Sequence, residues 1–262
     1  MIVRLLFLSL ALLVSTVAQT APAELPPMRI LFIGNSYTYY NDMPQLLARL
    51  ASVSGVARPV QAETIAVGGA SLKSHWDKGQ AQAVIGRGKW DYVVLQEHSL
   101  LPLREPTATR HAIRLFHERI KAAGAKTILY LTWARAHAPQ TQAELNRAYD
   151  SIGKEPGISV APVGPAWLFA RKADPGIPLY ESDDSHPSIL GSYLAAYVFH
   201  VVLFGQAPQR LMAPGGLSGE EHAALLAAAV KAVADTGALQ RRERTLLKRE
   251  GDAIGLASHG SH

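Results

Sequence analysis

Residues 29–33 form a short run that is apolar almost without interruption, and it stops abruptly at Gly34-Asn35-Ser36. Such a run reads as a strand buried on both faces, as in a parallel sheet covered by helices. A helical pattern follows within a few residues. Asn41 or Asp42 stands as N-cap, Pro44 in the first turn, Leu46, Leu47 and Leu50 on one face, and Gly55 past the end. A first strand that ends in Gly-polar-Ser and turns towards a helix puts a serine at the carboxyl edge of a sheet. Open α/β sheets hold their ligands at that edge. Taken alone, the stretch is explained better still as a turn with a capping serine. It becomes a reactive site only if the chain supplies a base, an orienting acid and oxyanion donors elsewhere.

The alternation continues down the chain. Strands are expected over 59–67, 91–96, 126–133 and 158–163. Helices are expected over 72–86, 107–123 with Thr107 as cap, 139–152, 165–173, 187–204, and from 218 to about 249. Segment 97–106, with two prolines, reads as a surface loop, and 174–186 as a second loop. Strands alternating with helices imply right-handed βαβ units and a parallel sheet between helical layers. The apolar stretch 189–204 is too short for a membrane span and holds Gly191, Ser192 and His200, so it reads as a core helix.

A chain of 262 residues is long enough for one such domain, expected over 27–250. Residues 1–21 read as a secretory signal, with Arg4 as the positive region and Leu5 to Val14 as the apolar region. Thr16-Val17-Ala18 or Gln19-Thr20-Ala21 is the cleavage site, near 18–21. An uncleaved anchor is the alternative. The expectation is export to a bacterial-type periplasm or exterior, with no membrane span after cleavage. No cysteine is present, which excludes a lipoprotein attachment site and a disulfide framework. The net charge of +5 gathers around Arg241, Arg242, Arg244, Lys248 and Arg249 with Glu243 and Glu250 between them. Mixed signs at helical spacing describe a solvated helix face, and no aromatic interleaving points to nucleic acid. Residues 251–262 read as a frayed tail.

Chemistry concentrates in Glu181-Ser182-Asp183-Asp184-Ser185-His186-Pro187. Asp183 and His186 stand three apart, so one loop presents a carboxylate and an imidazole together. The acid fixes tautomer and orientation, and the ring takes a serine proton. With Pro187 opening a helix, His186 is expected at or next to its N-cap, where the positive helix end favours neutral imidazole. Ser36 would be the nucleophile. Acyl transfer also needs oxyanion donors. Gly69 offers an unhindered N–H at the end of the second strand, Ser36 its own N–H, and Gln96 a side-chain amide at the end of the third. Among the other histidines, His111 and His117 are expected on the solvated side of their helix, His200 in the core, and His75 and His137 near loops a substrate can reach. A metal site from Glu97, His98, Asp183, Asp184 and His186 lacks any tight His-x-x-x-His spacing and ranks below the serine mechanism.

The set Gly34-Asn35-Ser36, Gly69, Gln96 and Asp183-x-x-His186, in this order, resembles the SGNH (GDSL-type) hydrolase superfamily of esterases and lipases. The wording Leu31-Phe32-Ile33-Gly34-Asn35-Ser36-Tyr37-Thr38, Trp90 to Ser99, and Ser185-His186-Pro187-Ser188 is similar to a bacterial subfamily of exported SGNH-like proteins. The resemblance implies a flavodoxin-like, three-layer α/β/α fold. It also implies Ser36 as nucleophile, His186 as base, Asp183 as its partner, and no cofactor. Two departures stand out. Asn35 replaces an aspartate, and the Gly-x-Asn-Asp loop of the third block is missing, with Gln96-Glu97-His98-Ser99 in that region. Gln96 is expected to replace the missing asparagine, with Ser99 or His98 as alternatives. Asn35, Tyr37, His98 and Ser99 are expected substrate contacts. The implied reaction is hydrolysis of a carboxylic ester, with a short acyl group such as acetyl on a carbohydrate as the analogous substrate. The competing expectation is a catalytically weak or inactive glycan-binding envelope protein of the same fold.

Overall fold

The computed structural model describes residues 25–209 and 217–237. The expected signal at 1–21, the basic segment near 241–250 and the tail at 251–262 lie outside the described residues. In chain order the elements are β1 (Met28–Gly34), α1 (Ser36–Tyr39), a 3₁₀ turn at Tyr40–Asp42, α2 (Met43–Val53), β2 (Val60–Ala66), α3 (Leu72–Lys78), α4 (Gln80–Arg87) and β3 (Tyr92–Leu95). There follow α5 (Leu101–Arg104), α6 (Pro106–Ala122), β4 (Lys126–Leu131), α7 (Gln142–Ile152), β5 (Ile158–Pro162), α8 (Val163–Ala173), α9 (Ile189–Phe204) and α10 (Gly219–Asp235).

The five strands form one sheet in the order β2-β1-β3-β4-β5, with every neighbouring pair parallel. Successive residues of β1 divide between its faces, as the pleat requires. Ile30 and Phe32 join the core under α2, α8, α9 and α10, whereas Leu31 and Ile33 join the core under α3, α4, α6 and α7. Both faces are covered over β1, β3, β4 and β5, which is why those strands read as nearly continuous apolar runs, whereas the edge strand β2 is largely exposed and carries polar residues. The α/β/α architecture expected from the sequence is the one observed.

Helix α9 is buried on nearly every side, between the sheet and α2, α8 and α10, so its lack of a polar face follows from its place in the core. Phe199 meets Phe32 and Tyr130 edge-on, with ring centroids 5.5 and 4.9 Å apart. Truncating such a side chain to alanine costs about 3–5 kcal/mol. No helix among the described residues is long and apolar enough to cross a membrane.

Several local expectations need correction. The stretch 72–86 is two short helices, because Gly79 adopts φ +74° between them. Residues 97–106 are not a surface loop: they contain α5, and Gln96, Glu97 and Ser99 are buried. Helix α6 begins at Pro106 rather than behind a Thr107 cap. His117 is buried, not solvated, with Nδ1 2.9 Å from the Thr127 hydroxyl. Its position is explained by spacing, since Ile113, Phe116, His117 and Ile120 share one helical stripe. Asp42 takes the N-cap position of α2 but in a left-handed conformation (φ +53°) and without a side-chain cap bond.

His200 is a core residue, with Nε2 2.7 Å from the Ser54 hydroxyl between α9 and the end of α2. Burial pushes its pKa down to about 4, against a smaller opposing effect of the Gln206 carbonyl. The folded state therefore favours the neutral ring. Its contribution to stability is complete above the unfolded value of about 6.5 and is lost as pH falls from there towards 4. Burial lowers the His222 pKa as well, so both act with the same sign. Thermal unfolding between pH 7.5 and 4.5 is expected to show a falling midpoint for the native chain and a shallower fall for His200→Gln; equal slopes would remove His200 as the cause.

Candidate active site

The turn from β1 into α1 is built from backbone polar groups and their partners. Gly34 has no room for a side chain, because a Cβ there would lie 2.4 Å from both Gln96 Oε1 and Thr38 Oγ1. Its carbonyl accepts from Val67 N–H (3.2 Å) and faces His75 Nε2 at 2.7 Å. Burial depresses the His75 pKa, partly offset by that carbonyl, so the ring is a neutral Nε2–H donor. His75 is thus a buried support and not the substrate-reaching residue expected. Asn35 caps α1, its Oδ1 accepting from Tyr37 N–H (3.1 Å) while its amide donates to the Ala70 carbonyl (3.0 Å). Ser36 opens the helix, so its N–H has no intrahelical acceptor.

The structure brings Ser36, His186 and Asp183 together. His186 Nε2 lies 2.8 Å from Ser36 Oγ, and Nδ1 makes a short contact with Asp183 Oδ2. A carboxylate can only accept, so Nδ1 carries the proton and Nε2 is left to accept from the serine hydroxyl. Asp183 Oδ1 accepts further from the backbone N–H groups of His186 (2.9 Å) and Ser185 (3.0 Å). Burial raises the Asp183 pKa, but the hydrogen bonds from His186 and Ser185 outweigh it and hold the carboxyl at about 2. It is therefore ionised at neutral pH and available to orient the ring.

The loop carrying these two residues is held at the β4 end. Trp133 Nε1–H donates to the Ser185 carbonyl (3.0 Å), Ala136 N–H to the Asp184 carbonyl (2.9 Å), and Ser185 Oγ lies 2.6 Å from the Tyr37 hydroxyl. The expectation that His186 adjoins a helix N-cap is corrected: Ser188 is the N-cap of α9, accepting from Gly191 N–H at 3.2 Å, and Pro187 sits in a bridge with Tyr180.

The remaining predicted residues divide sharply. Gly69 is exposed at φ +69°, a left-handed conformation suited to glycine. A Cβ there would meet open space, and its N–H has no hydrogen-bond partner among the described residues. Gln96 is not placed as an oxyanion donor. It is fully buried; Oε1 accepts from Asn35 N–H and the Thr38 hydroxyl, both at 2.8 Å, and its amide donates to the Glu97 carbonyl at 2.5 Å. Asn35 and Tyr37 are likewise buried supports rather than substrate contacts, and the Tyr37 ring lies 4.7 Å from the Trp133 ring, nearly parallel to it. Ser99 is buried and His98 half-buried. A cavity of about 350 Å³ lined by Arg29, Glu63, Ile65, Arg87 and Trp90 among others includes none of the predicted site residues. Among the described residues no group of three or more His, Cys, Asp or Glu gathers as a metal site would require.

One contact was missed from the sequence. The Tyr40 ring stacks on the His186 imidazole at 4.4 Å and 17°. The segment that presents it is strained, with Asn41 at φ +51° and Asp42 at φ +53°. It is tied down by the Asn41 amide, which donates to the Pro187 carbonyl (3.0 Å) and Ser192 Oγ (2.9 Å). The available signal was the aromatic cluster Tyr37, Tyr39 and Tyr40 directly behind Ser36.

A parallel α/β sheet whose first strand delivers a serine to an imidazole–carboxylate pair defines a serine hydrolase architecture. Comparison with solved structures agrees. The chain is 32% identical to a candidate SGNH hydrolase from Slackia heliotrinireducens, covering 66% of this chain and 97% of that one with a TM-score of 0.58. A DUF4886 family protein from Bacteroides uniformis is 20% identical over 79% of this chain and 95% of that one, with a TM-score of 0.61. The acetylxylan esterase Axe2 from Geobacillus stearothermophilus shares the fold at 15% identity, over 71% and 97% of the two chains, with a TM-score of 0.56. Neither the profiles of established families nor the sequences of curated proteins match the chain. The chain belongs to the SGNH (GDSL-type) hydrolase superfamily.

Because the Tyr40 ring stacks on one face of His186, it restrains the imidazole plane. Replacing Tyr40 with alanine is expected to lower kcat on an activated ester roughly tenfold while KM changes little, since small misplacements of a catalytic group are costly. Tyr40→Phe, which keeps the stacked face, should retain native kcat in the same steady-state assay.

Proposed function

We propose that the chain is an exported esterase that removes a short acyl group, such as acetyl, from a carbohydrate by a Ser-His-Asp mechanism. The observation that carries the mechanism is the 2.8 Å approach of Ser36 Oγ to His186 Nε2 while Nδ1 engages Asp183. Ser36 attacks the acyl carbonyl as His186 takes its proton. The oxyanion accepts from the Ser36 and Gly69 N–H groups. His186 then returns the proton to the leaving alcohol and activates water for deacylation, and Asp183 stabilises the imidazolium in each half-reaction.

The carbohydrate reading is supported by the surface beside the serine. Tyr39 is 42% exposed and Val67 46% exposed, and the Tyr39 hydroxyl lies 3.2 Å from where a Gly68 Cβ would stand. An open aromatic wall between the imidazole and the glycine loop suits the C–H face of a sugar ring, whose hydroxyl edges stay in water. An acyl chain of any length would instead call for an enclosed apolar pocket. Export rests on the signal-like pattern at 1–21. The competing reading, a glycan-binding protein with little turnover, draws on the withdrawal of Gln96 from the oxyanion.

The native chain is expected to hydrolyse 4-nitrophenyl acetate and to be labelled at Ser36 by a fluorophosphonate. Ser36→Ala should abolish labelling and lower kcat by more than about 10³-fold. Glycan binding without labelling would select the competing reading, and activity surviving Ser36→Ala would remove the serine mechanism.

A further inference from the structure

Ser36 and its partners stand at the carboxyl end of the sheet. On the face covered by α4, a separate cavity of about 350 Å³ opens at the β2 edge. Arg29 in its lining precedes Gly34 by five residues, about 17 Å along an extended strand. We propose that this cavity binds a hydroxylated anion of monosaccharide size, with Arg87 taking the carboxylate or phosphate and Glu63 the hydroxyl groups. The site is independent of the esterase reading and lies away from its chemistry.

The floor of the cavity is apolar and rigid. Leu31 and Ile65 lie on the sheet face that α4 covers, and Val84 of α4 packs with them. Trp90 is buried beside them, its Nε1–H donating to the Val84 carbonyl at 3.1 Å. Gly88 leaves the room this indole needs, since a Cβ there would lie 2.0 Å from Nε1. Arg29 belongs to the same framework. Its Cζ lies 4.5 Å from the Trp90 ring centroid, and Nη2 donates to Glu63 Oε1 at 2.9 Å. The volume falls at the small end of the range for ligand pockets.

The rim, in contrast, holds polar groups that the fold leaves unspent. Arg87, in the last turn of α4, is exposed and makes no hydrogen bond or ion pair among the described residues. Glu63 gives only Oε1 to Arg29, and Oε2 has no partner among the described residues. Arg87 and Glu63 therefore line one cavity with opposite charges and do not pair across it. The strand edge adds two more groups. Pro59 accepts from Met28 N–H and Val67 donates to the Gly34 carbonyl, so the odd-numbered residues of β2 turn their backbone towards β1. Gln45 Nε2 reaches the Ala62 carbonyl (2.9 Å) from the open side, and Thr64, two residues on, presents its N–H and carbonyl to that side too.

A ligand with an anionic group at one end and hydroxyls at the other fits this separation. A guanidinium donates to a carboxylate or phosphate through a fork of N–H groups. A carboxylate oxygen such as Glu63 Oε2 accepts from hydroxyls. An uncharged sugar would leave Arg87 unpaired, and a bare anion would face Glu63 with nothing to donate. Sugar acids and sugar phosphates both carry the required chemistry.

The test is an NMR titration of the full ¹⁵N-labelled chain with glucuronate, glucose 6-phosphate, glucose and inorganic phosphate. Glucuronate, glucose 6-phosphate or both should bind saturably and move the Thr64, Ile65 and Gly88 amides and the Trp90 Nε1–H. The Ser36 and His186 amides should stay in place. Binding of glucuronate alone assigns the site to carboxylates, and of glucose 6-phosphate alone to phosphates. Arg87→Ala should weaken the binding at least tenfold, with the melting temperature and 4-nitrophenyl acetate turnover of the native chain. Arg87→Lys, which keeps the charge, should recover part of the loss. Glucose binding as tightly as glucuronate, or phosphate as tightly as glucose 6-phosphate, overturns the ligand class. Native affinity in Arg87→Ala, shifts confined to Ser36 and His186, or no binding of any of the four overturns the site.

Discussion

The hydrogen bonds that Gln96 sends back from β3 to the turn after β1 hold the two central strand ends in one geometry. Its Oε1 takes the Asn35 N–H and the Thr38 hydroxyl, two donors that no backbone acceptor reaches. Both lie in a dry interior, where an unsatisfied donor costs about 1–3 kcal/mol, more than a single bond returns. Gly34 is small for the same reason, since any side chain would displace that oxygen. Ser36 is thereby carried on a rigid step rather than a mobile loop. From the other layer, His75 secures the same turn through the Gly34 carbonyl.

His186 is fixed by a different means. Its loop hangs from β4, and an aromatic column backs it: Tyr37 lies parallel to Trp133, and Trp133 stacks on Trp167 at 4.0 Å. Tyr37 belongs to the helix that Ser36 opens while its hydroxyl meets Ser185 in the loop that carries His186, so one side chain couples the two halves of the site. Tyr40 repeats the logic on the exposed side. Distances between groups on β1 and on the loop before α9 are thus set by packed rings, which have few rotamers to choose among, rather than by long polar side chains.

Much of this architecture was legible in the sequence, and for definite reasons. Buried parallel strands advertise themselves as apolar runs, so β1, β3, β4 and β5 were found, while the half-exposed edge strand β2 was found by its alternation; β4 was overextended because Trp133 is as apolar as a strand residue yet belongs to the turn. Asp183 and His186 were legible because one loop carries both. Gln96 was misread for a physical reason: a strand buried on both faces has no polar face to give the direction of its last side chain, and a polar residue at the sheet edge was assumed to face outward. His117 was misread by residue type although its helical spacing with Ile113 and Ile120 pointed inward. The roles of Tyr37 and Tyr40 depend on contacts across about 150 positions of sequence, which no local pattern encodes.

The missing Gly-x-Asn-Asp loop takes its physical meaning from Glu97. A carboxylate is an expensive group to bury, and burial does raise its pKa, opposed by the N–H groups of His98 and Leu72. What it supplies is a single oxygen, with two lone pairs, that gathers backbone donors from two separate elements. A neutral amide could offer the same oxygen but would bring an NH₂ group needing its own acceptors in the same buried space. Aspartate would fall one methylene short of bridging the two donors. The β3 edge and the start of the helix behind the Gly69 loop therefore behave as one hydrogen-bonded unit, held together by the Glu97 side chain.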